Sequence, residues 1–421
     1  MEFVPYNQFK NIEFIAEGGF SKIYKADWIN DSPIKHKYLF DSYYNTIVLK
    51  KLNNSKNITS KELNELKIFY NYYTKWKTQY DNALKANKIS PETYVTQCEN
   101  YISDYFGITQ DLNTQDFMIV MPYYSKGDLT HYISNDFYNI KWHKKLNNLN
   151  KIANGLINIH NLDIIHRDLH SGNIFFHSPK FGCLYPYIGD LGISKSATES
   201  TDNNENYGII PYMAPEIFQG QKYTKASDIY SFGMIMWKLM TGRRPFWDRN
   251  HDTELIIDIS DGLRPPIVTN APEGFIELMK ECWNSNPDKR PTATYIYNII
   301  EEIYRKEYEN FKCNNETTIT ELSDIGPVPK NNPGAIYRSR ALSDMINSAM
   351  SLRSFRSQSV NLEKVKRKFE YNNHDDGQST KRKKLFENEN NDYFTKEIEL
   401  DIDIKSLDNN EYLTQEYDFD I

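Results

Sequence analysis

Apolar and polar residues alternate along the first part of the chain, between positions 9 and 28, on both sides of the pair Gly18-Gly19. A period of two is typical of strands, and the glycines mark a tight turn between them. Glycine lets a backbone come close to a ligand and turn its N–H groups toward phosphate oxygens. The pattern therefore predicts a strand, a turn and a strand suited to covering an anionic ligand, with a plain hairpin as the alternative.

An apolar run interrupted by a lysine follows in Thr46–Leu52, where the lysine is Lys50. An unpaired ammonium in a buried strand costs free energy, so an anion is expected to meet it. Hydroxyl residues and leucines at helical spacing predict a helix over 59–66. Glu65 of that helix is the predicted partner of Lys50, with Glu62 as the competitor. The alternative is a lysine that only ends an edge strand.

Farther along, the apolar pattern switches between strands and helices. Phe117–Met121 predicts a buried strand that stops at Pro122. Apolar residues at helical spacing over 146–159 predict a helix that runs directly into a polar loop. Residues 34–44 and 70–99 are interpreted as insertions, the second of them helical or irregular.

Polar residues suited to phosphate chemistry occur in that loop and after a later strand. The loop reads His166-Arg167-Asp168-Leu169-His170-Ser171-Gly172-Asn173, and Asp190-Leu191-Gly192 follows the short apolar run at 187–189. A carboxylate directly after a strand, before a small turn residue, suits a magnesium ligand that bridges ATP phosphates. Taken alone, each stretch could also be an ordinary polar loop or turn.

Two charged residues stand in the apolar second half of the chain. Asp228 opens a strongly apolar helix, and Arg290 comes directly before a proline. Charges in such surroundings need internal partners, so both are interpreted as structural. The predicted partner of Arg290 is Glu216.

Length and composition fit one large or two ordinary domains. The chain has 421 residues, of which 39% are hydrophobic, enough for a sizeable core. A formal net charge of -7 argues against a general polyanion binder. The four cysteines lack paired spacing, which suggests neither a zinc site nor disulfides. No signal-peptide pattern opens the chain and no run approaches the ~18 apolar residues of a membrane span. A soluble, non-secreted, cytoplasmic protein is expected.

The polar segments also occur in a recognisable order. Lys50 and Glu65 are followed by HRDLHSGN, DLG, APE, SDIYSFG, CW and DKRPT. From about Phe9 to Tyr308 the chain resembles the eukaryotic protein kinases, most of all their tyrosine-kinase and tyrosine-kinase-like branches. The resemblance implies an α+β, bilobal fold with ATP between the lobes. A small β-rich N-lobe with one main helix (about 9–121) would be joined by a hinge (about 122–125) to a larger, mainly α-helical C-lobe (about 126–308).

The resemblance implies roles for particular residues. Lys50 would hold the α- and β-phosphates of ATP and pair with Glu65, and Asp168 would be the catalytic base. Asn173 and Asp190 would hold Mg²⁺, while Arg167 would receive a phosphate from the activation loop. The implied nucleotide contacts, with Met121 as gatekeeper, are Ala16, Gly18, Ser21, Ile23, Val48, Lys50, Met121, Pro122, Tyr124, Asp128, Asn173 and Asp190.

The segment 193–207 corresponds to the activation loop and is rich in hydroxyl groups. They belong to Ser194, Ser196, Thr198, Ser200, Thr201 and Tyr207. Phosphorylation of one or more is predicted to raise activity by pairing with Arg167, with the mid-loop positions 198, 200 and 201 favoured. The alternative is that Arg167 pairs with Glu199 or Glu205 and the hydroxyls only solvate the loop.

Several positions bear on the substrate. His170 and Ile209 stand where Ser/Thr kinases usually have Lys and Thr, and Tyr212 stands where tyrosine kinases have Trp. The spelling PYMAPE at 211–216 favours transfer of the ATP γ-phosphate to protein Ser/Thr hydroxyls.

Three alternatives stay open. The first is a tyrosine or dual-specificity kinase. The second is a pseudokinase scaffold that binds ATP weakly, because Ala16 and Ser21 replace two glycines of the phosphate-covering loop. The third, a small-molecule kinase, is disfavoured by the APE segment and the peptide-facing residues before it.

After Tyr308 the composition becomes polar and charged, so 309–421 is predicted to be a disordered tail. Serines near arginines at 340–343 and 353–359 suit basophilic phosphorylation. The basic clusters at 366–368 and 381–384 resemble a bipartite nuclear-localisation signal, with a solvated charge run as the alternative. The expected partners are a protein substrate and a nuclear-import receptor, with neither nucleic acid nor membrane. The nucleus is a second expected destination.

Overall fold

The structure is a computed structural model, and it describes most of the first 356 residues. The described residues are 3–17, 21–29, 46–53, 55–56, 64–85, 101–178, 184–196, 206–268, 271–319, 321–328, 330–356 and 413–415. The chain divides into two units, of which the larger comprises Met1–Met350 with Tyr412–Ile421, and the smaller Ser351–Glu411. Within the smaller unit, the described residues 351–356 are helical.

An antiparallel sheet of five strands forms the N-terminal part of the larger unit. Its strands lie in the order β1-β2-β3-β5-β4. They are β1 (Phe9–Glu17), β2 (Ser21–Trp28), β3 (Thr46–Leu52), β4 (Gly107–Gln110) and β5 (Phe117–Pro122). Between β3 and β4 the chain forms helix α1, Asn64–Lys85. The two predicted strands are therefore present as an antiparallel pair, whereas residues 18–20 of the predicted turn and the first insertion (34–44) lie outside the described residues.

The strand that carries Lys50 is central in this sheet. β3 pairs with β2 and with β5, so that Lys50 lies opposite Ile23 and Ile119. Successive side chains of a strand point to opposite faces. Leu49 therefore enters an apolar cluster with Trp28, whereas Lys50 faces the other side of the sheet. The alternative of a lysine ending an edge strand is wrong.

Between Leu129 and Lys312, seven helices of the described chain build the C-terminal part. They are α2 (Leu129–Asp136), α3 (Trp142–His160), α4 (Pro215–Phe218), α5 (Lys225–Thr241), α6 (Thr253–Ser260), α7 (Phe275–Cys282) and α8 (Ala293–Lys312). α5 is buried almost throughout and starts with a capping box between Thr224 and Ser227. It ends at Gly242, whose φ of 77° favours glycine. The sheet and helices give the predicted α+β, bilobal architecture.

Short strand pairs between α3 and α4 hold the polar loops. β6 (Ile164–Ile165) pairs with β9 (Lys195–Ser196), and β7 (Ile174–His177) pairs with β8 (Tyr185–Ile188). The predicted catalytic loop connects β6 to β7, and Asp190 follows β8 by two residues. The two pairs bring the ends of both loops to one place.

The packed part of the chain extends beyond the predicted boundary at Tyr308. α8 continues to Lys312, and β11 (Arg338–Ala341) lies in a small sheet between β10 (Tyr207–Gly208) and β12 (Leu413–Gln415). A few apolar side chains of this segment are buried: Ile325, Tyr337, Leu342, Ile346 and Ala349. Composition alone misses this ordering because a polar segment can fold onto a surface that is already formed.

The rest of the predicted disordered tail, 357–412 and 416–421, lies outside the described residues, as do both basic clusters. In the second predicted insertion, residues 70–85 continue α1, and 86–100 lie outside the described residues. Within the described parts of the chain, none of the helices combines the length and apolarity needed to cross a membrane.

Candidate active site

Lys50 of β3 meets a carboxylate from a distant part of the chain. Its Nζ lies 2.8 Å from Oδ1 of Asp190. Burial raises the pKa of the Asp190 carboxyl, but the charge of Lys50 and its hydrogen bond outweigh that effect, so the pKa lies below its ordinary value. The anion expected to meet Lys50 is thus Asp190. The backbone of the predicted partner, Glu65, lies in α1, and its side chain is outside the described part of the chain.

Two residues of the site adopt a backbone conformation that is unusual for a side-chain-bearing residue. Arg167 has a φ of 72° and Asp190 a φ of 57°. Such a conformation costs about 1 kcal/mol or more and persists where the surrounding structure holds it. At Arg167 the N–H donates to Oδ1 of Asp228 over 2.9 Å. Each of the two functional loops therefore carries one residue in this conformation.

Asp228 is the buried anchor of the catalytic loop. Its Oδ2 accepts a hydrogen bond from the backbone N–H of His166 (2.9 Å) and lies 2.9 Å from Nε2 of His160. His166, also buried, reaches across to the carbonyl oxygen of Gly189 over 3.1 Å. The structural role predicted for Asp228 is confirmed, and its partners fix the loop against both α5 and the end of β8.

The loop presents its acid and its amide side by side. Nδ2 of Asn173 donates to the carbonyl oxygen of Asp168 over 2.9 Å. Because an amide has a single oxygen, that oxygen is the atom left to face a cation. Asp168 and Asn173 are both largely buried, with 8% and 7% exposure. The predicted base and one predicted metal ligand are therefore directly linked by a hydrogen bond.

His170 lies directly beside the base. Its Nδ1 accepts the backbone N–H of Gly172 over 3.0 Å, which leaves the proton of the neutral ring on Nε2. Nε2 lies 3.7 Å from Oδ2 of Asp168. Ser/Thr kinases usually have a lysine at this position. Here the ring N–H of His170, a weaker hydrogen-bond donor than an ammonium, faces the carboxylate of Asp168.

A buried lysine behind the loop was missed by the sequence analysis. Nζ of Lys238, in α5, donates to Oγ of Ser171 over 2.7 Å and to Oγ1 of Thr130. Oγ of Ser171 lies 3.0 Å from the hydroxyl of Tyr212. The signal was available, because Lys238 is a single cation within an apolar run. Lys238 joins the catalytic loop to α5 and α2, and Ser171 in turn contacts Tyr212 of the segment that precedes α4.

The guanidinium of Arg167 is held mainly by an aromatic ring. It lies 4.4 Å from the ring centroid of Tyr223 and donates to the carbonyl oxygen of Ile193 over 3.4 Å. Its Nε is buried without a hydrogen-bond partner in the described chain. Glu199 and Glu205, its alternative partners, lie outside the described residues, as do Thr198, Ser200 and Thr201.

The side chains predicted to contact a nucleotide line the sheet near Lys50. Ala16 pairs opposite Ile23, and Val48 opposite Met121. Ser21, the other small residue of the covering hairpin, is buried, and Gly18 lies outside the described residues.

Of the predicted hinge residues, Pro122 is the last residue of β5 and Tyr124 lies two residues farther on. The ring of Tyr124 stacks on Phe175 at 5.5 Å, and its hydroxyl donates to Ser103. Asp128, another predicted nucleotide contact, caps α2, since its Oδ1 accepts the N–H of His131 over 2.8 Å.

The donor set suits Mg²⁺ held together with phosphate. Asp190 offers a carboxylate and Asn173 an amide oxygen, which are the hard ligands that this ion prefers. The described residues contain no group of three or more His, Cys, Asp or Glu side chains that could hold a metal. A cation at this place would therefore depend on phosphate oxygens and water to complete its coordination.

The family model of protein tyrosine and serine/threonine kinases matches residues 94–300. This region of the chain is a eukaryotic protein kinase domain. Its catalytic loop, its Asp190 turn and the APE segment at 214–216 all lie in the matched region.

Several curated kinases are similar to this protein kinase. The probable serine/threonine-protein kinase roco5 of Dictyostelium discoideum is 33% identical over 192 residues, 43% of this chain and 7% of its own. The serine/threonine/tyrosine-protein kinase HT1 of Arabidopsis thaliana is 29% identical over 187 residues, 44% of this chain and 47% of its own. The tyrosine protein-kinase src-1 of Caenorhabditis elegans is 25% identical over 255 residues, 57% of this chain and 47% of its own. The matched region spans less than half the length of each of these relatives.

The ion pair predicted between Arg290 and Glu216 is present in this kinase domain. The guanidinium meets the carboxylate through two bonds, of 2.7 and 2.6 Å, and the pair is fully enclosed. This bidentate pair ties the APE segment to the start of α8.

Proposed function

We propose that the chain is an ATP- and Mg²⁺-dependent kinase that transfers the γ-phosphate to Ser or Thr hydroxyls of a protein substrate. The observation that carries the proposal is the ion pair of 2.8 Å between Lys50 and Asp190. In the neighbouring catalytic loop, a hydrogen bond links Asp168 to Asn173. Cation, metal ligands and base are the parts that phosphoryl transfer needs.

Each residue has a definite task in this mechanism. Lys50 holds the α- and β-phosphates, and the pair with Asp190 preorients it for them. Asp190 and Asn173 bind Mg²⁺, which neutralises charge on the phosphate oxygens when bound. Asp168 orients the substrate hydroxyl and takes its proton. The new bond joins the hydroxyl oxygen to the γ-phosphorus, while the bond to the β–γ bridging oxygen breaks and ADP leaves.

Preference for Ser/Thr is supported by the relatives, since the printed names of several describe serine/threonine-protein kinases. His170, beside Asp168, supplies a donor where the transferred phosphate would pass. The hydroxyl of Tyr212, which stands where tyrosine kinases have Trp, lies 3.0 Å from Oγ of Ser171 in the catalytic loop.

A phosphate-transfer assay on the purified full chain, with radioactive ATP and a Ser-containing basic peptide, tests the activity. Asp168→Asn keeps the shape but removes the base, and we expect kcat to fall by about a thousandfold or more. Asp248→Asn serves as the matched control, because Asp248 is an exposed carboxylate in the loop between α5 and α6. Equal transfer by the parent and Asp168→Asn contradicts the proposal. Phosphoamino-acid analysis of the product then separates Ser/Thr from Tyr.

A scaffold that binds ATP without transferring phosphate is the second candidate, because Ala16 and Ser21 stand in the covering hairpin. The Cβ of Ala16 occupies space where glycine would let the backbone come closer to phosphate. ATP binding with no transfer above the Asp168→Asn background supports this scaffold.

We also propose the cytoplasm, with the nucleus as a second destination, because two basic clusters stand at bipartite spacing. Residues 360–390 fused to a fluorescent reporter test this proposal, and a reporter that stays cytoplasmic rejects nuclear import through these clusters.

A further inference from the structure

The end of the activation segment carries an added strand from the C-terminal part of the chain. β10 pairs antiparallel with β11, so that Tyr207 lies opposite Ala341 and Gly208 opposite Arg340. The next residue of the tail continues the pairing, since the N–H of Leu342 donates to the carbonyl oxygen of Asn206 over 2.8 Å. The backbone edge of the activation segment is thus filled from within the same chain.

The segment before β11 is attached to the loop between α5 and α6. The hydroxyl of Tyr337 donates to the carbonyl oxygen of Pro245 over 2.7 Å, and its ring packs edge-on against His251 at 4.8 Å. The guanidinium of Arg340 donates to the carbonyl oxygen of His251 over 2.7 Å. These contacts fix the direction in which the strand runs.

The segment after β11 is held by apolar burial. Leu342, Ile346 and Ala349 are 1%, 4% and 0% exposed and belong to the main core cluster. Ser343 adds a polar contact, because its Oγ accepts the N–H of Asn206 over 3.0 Å. β11 is therefore held on both sides, by the contacts of Tyr337 before it and by the buried apolar residues after it.

The occupied edge is continuous with the catalytic loop. The carbonyl oxygen of Tyr207 accepts the hydroxyl of Tyr223 over 3.0 Å, and the Tyr223 ring lies beside Arg167. Four residues after Gly208, Tyr212 contacts Ser171 of the catalytic loop. The strand edge at Tyr207–Gly208 is therefore linked through Tyr223 and Tyr212 to the loop that carries Asp168.

Strand edges recognise extended peptides through backbone hydrogen bonds, and one edge accepts one strand at a time. We propose that Tyr207–Gly208 is a docking edge for an extended segment of the protein substrate, and that Arg338–Leu342 is its intramolecular competitor. Release of this tail strand opens the edge. The inference rests on the proposed kinase activity for its kinetic consequence, and on the pairing itself for the docking.

The test unseats the tail strand in the full chain. Leu342→Glu with Ile346→Glu places two charges in the buried attachment, while Leu322→Glu, at a tail leucine that is 51% exposed, is the matched control. We expect the double variant to have a KM for a Ser-containing basic peptide about tenfold lower than that of the parent. This change corresponds to a docking edge that is free of the tail strand in roughly one-tenth of the parent molecules and in nearly all molecules of the variant. The kcat and the KM for ATP stay within about twofold, because neither depends on this edge. The control behaves like the parent.

A second variant and a readout without catalysis keep the proposal falsifiable. Tyr337→Ala removes the contact with Pro245 and leaves the core leucine in place, so it should act in the same direction. Hydrogen exchange at the amides of 206–210 should become faster in both variants. A synthetic peptide of residues 334–350 should bind the double variant, measured by fluorescence anisotropy, and inhibit it competitively with the peptide substrate.

Two results overturn the proposal. One is an unchanged peptide KM although amide exchange at 206–210 has increased. The other is a loss of kcat on release, which would make the tail strand a support of the activation segment. If parent and variants all fail to transfer phosphate, the proposed function fails, and the anisotropy measurement still decides the docking: no binding of the 334–350 peptide rejects it.

Discussion

Lys145 is a buried lysine that no anion meets in the described chain. It is 1% exposed, its Nζ has no hydrogen-bond partner there, and it lies 3.8 Å from the centroid of the Phe137 ring. Burial lowers the pKa of Lys145 to about 7. The ring face favours the charged form, but it does not offset the loss of water around the ammonium.

This lowered pKa predicts that Lys145 destabilises the folded chain by an amount that depends on pH. Between about pH 7 and 10.5 the unfolded chain binds a proton that the folded chain has lost, so stability rises with pH across that window, by about 1.4 kcal/mol per unit. Lys145→Met removes this slope. The variant should be more stable than the parent at pH 7 and lose its advantage toward pH 10, measured by urea unfolding at several pH values. Parallel curves would show that the ring keeps the ammonium charged throughout.

Asp228 gives a second prediction for a single residue. Asp228→Asn keeps the size of the side chain but replaces an acceptor oxygen by an NH₂ group that faces backbone donors. Unsatisfied buried donors cost about 1 to 3 kcal/mol each. We expect unfolding in urea to become easier by about 2 kcal/mol or more, together with a loss of kcat as the loop loses its anchor. A variant as stable and as active as the parent would contradict this role.

Among the elements, the activation segment gives the next prediction. Arg167 is placed by Tyr223 and Ile193 and has a buried Nε without a partner in the described chain. A phosphate brings about 1.5 to 2 negative charges and strong acceptor oxygens to such a cation. We predict that phosphorylation within 194–207 raises kcat about tenfold, because the added phosphate pairs with Arg167 next to Asp168.

The measurement compares kcat before and after phosphatase treatment. An alanine series over Ser194, Ser196, Thr198, Ser200, Thr201 and Tyr207 should identify the position, with the three mid-loop residues most sensitive. Unchanged rates in both experiments would favour a carboxylate of the loop as the partner of Arg167.

For the whole molecule, the attachment of the tail predicts a stability boundary. A chain that ends after residue 356 keeps all the tail side chains that are buried in the described residues, whereas one that ends after residue 319 loses Ile325, Tyr337, Leu342, Ile346 and Ala349. Removing them exposes apolar surface of the C-lobe to water. We expect the shorter chain to melt at least about 5 °C below the longer one in calorimetry. Equal melting temperatures would show that the tail contributes nothing to the stability of the lobe.

The sequence by itself determined the parts of this protein that depend on local pattern. Period-two alternation around Gly18-Gly19 gave the hairpin, and helical spacing over 146–159 gave the helix that carries the catalytic loop. The order of Lys50, Asp168, Asn173 and Asp190 pointed to the kinase family, because the spacing within each motif is fixed along the chain. The pairing of Arg290 with Glu216 was also predictable, since a buried guanidinium needs a carboxylate.

Only the tertiary structure decided which distant groups meet. It paired Lys50 with Asp190, placed Lys238 behind Ser171, and turned Asp128 into the cap of a helix. It also decided that residues 321–350 fold onto the domain. Composition averages their few apolar residues with many polar ones, but the free energy of folding depends on whether a matching surface exists to bury them. That surface is made by parts of the chain 80 to 187 residues away, so no local pattern contains it.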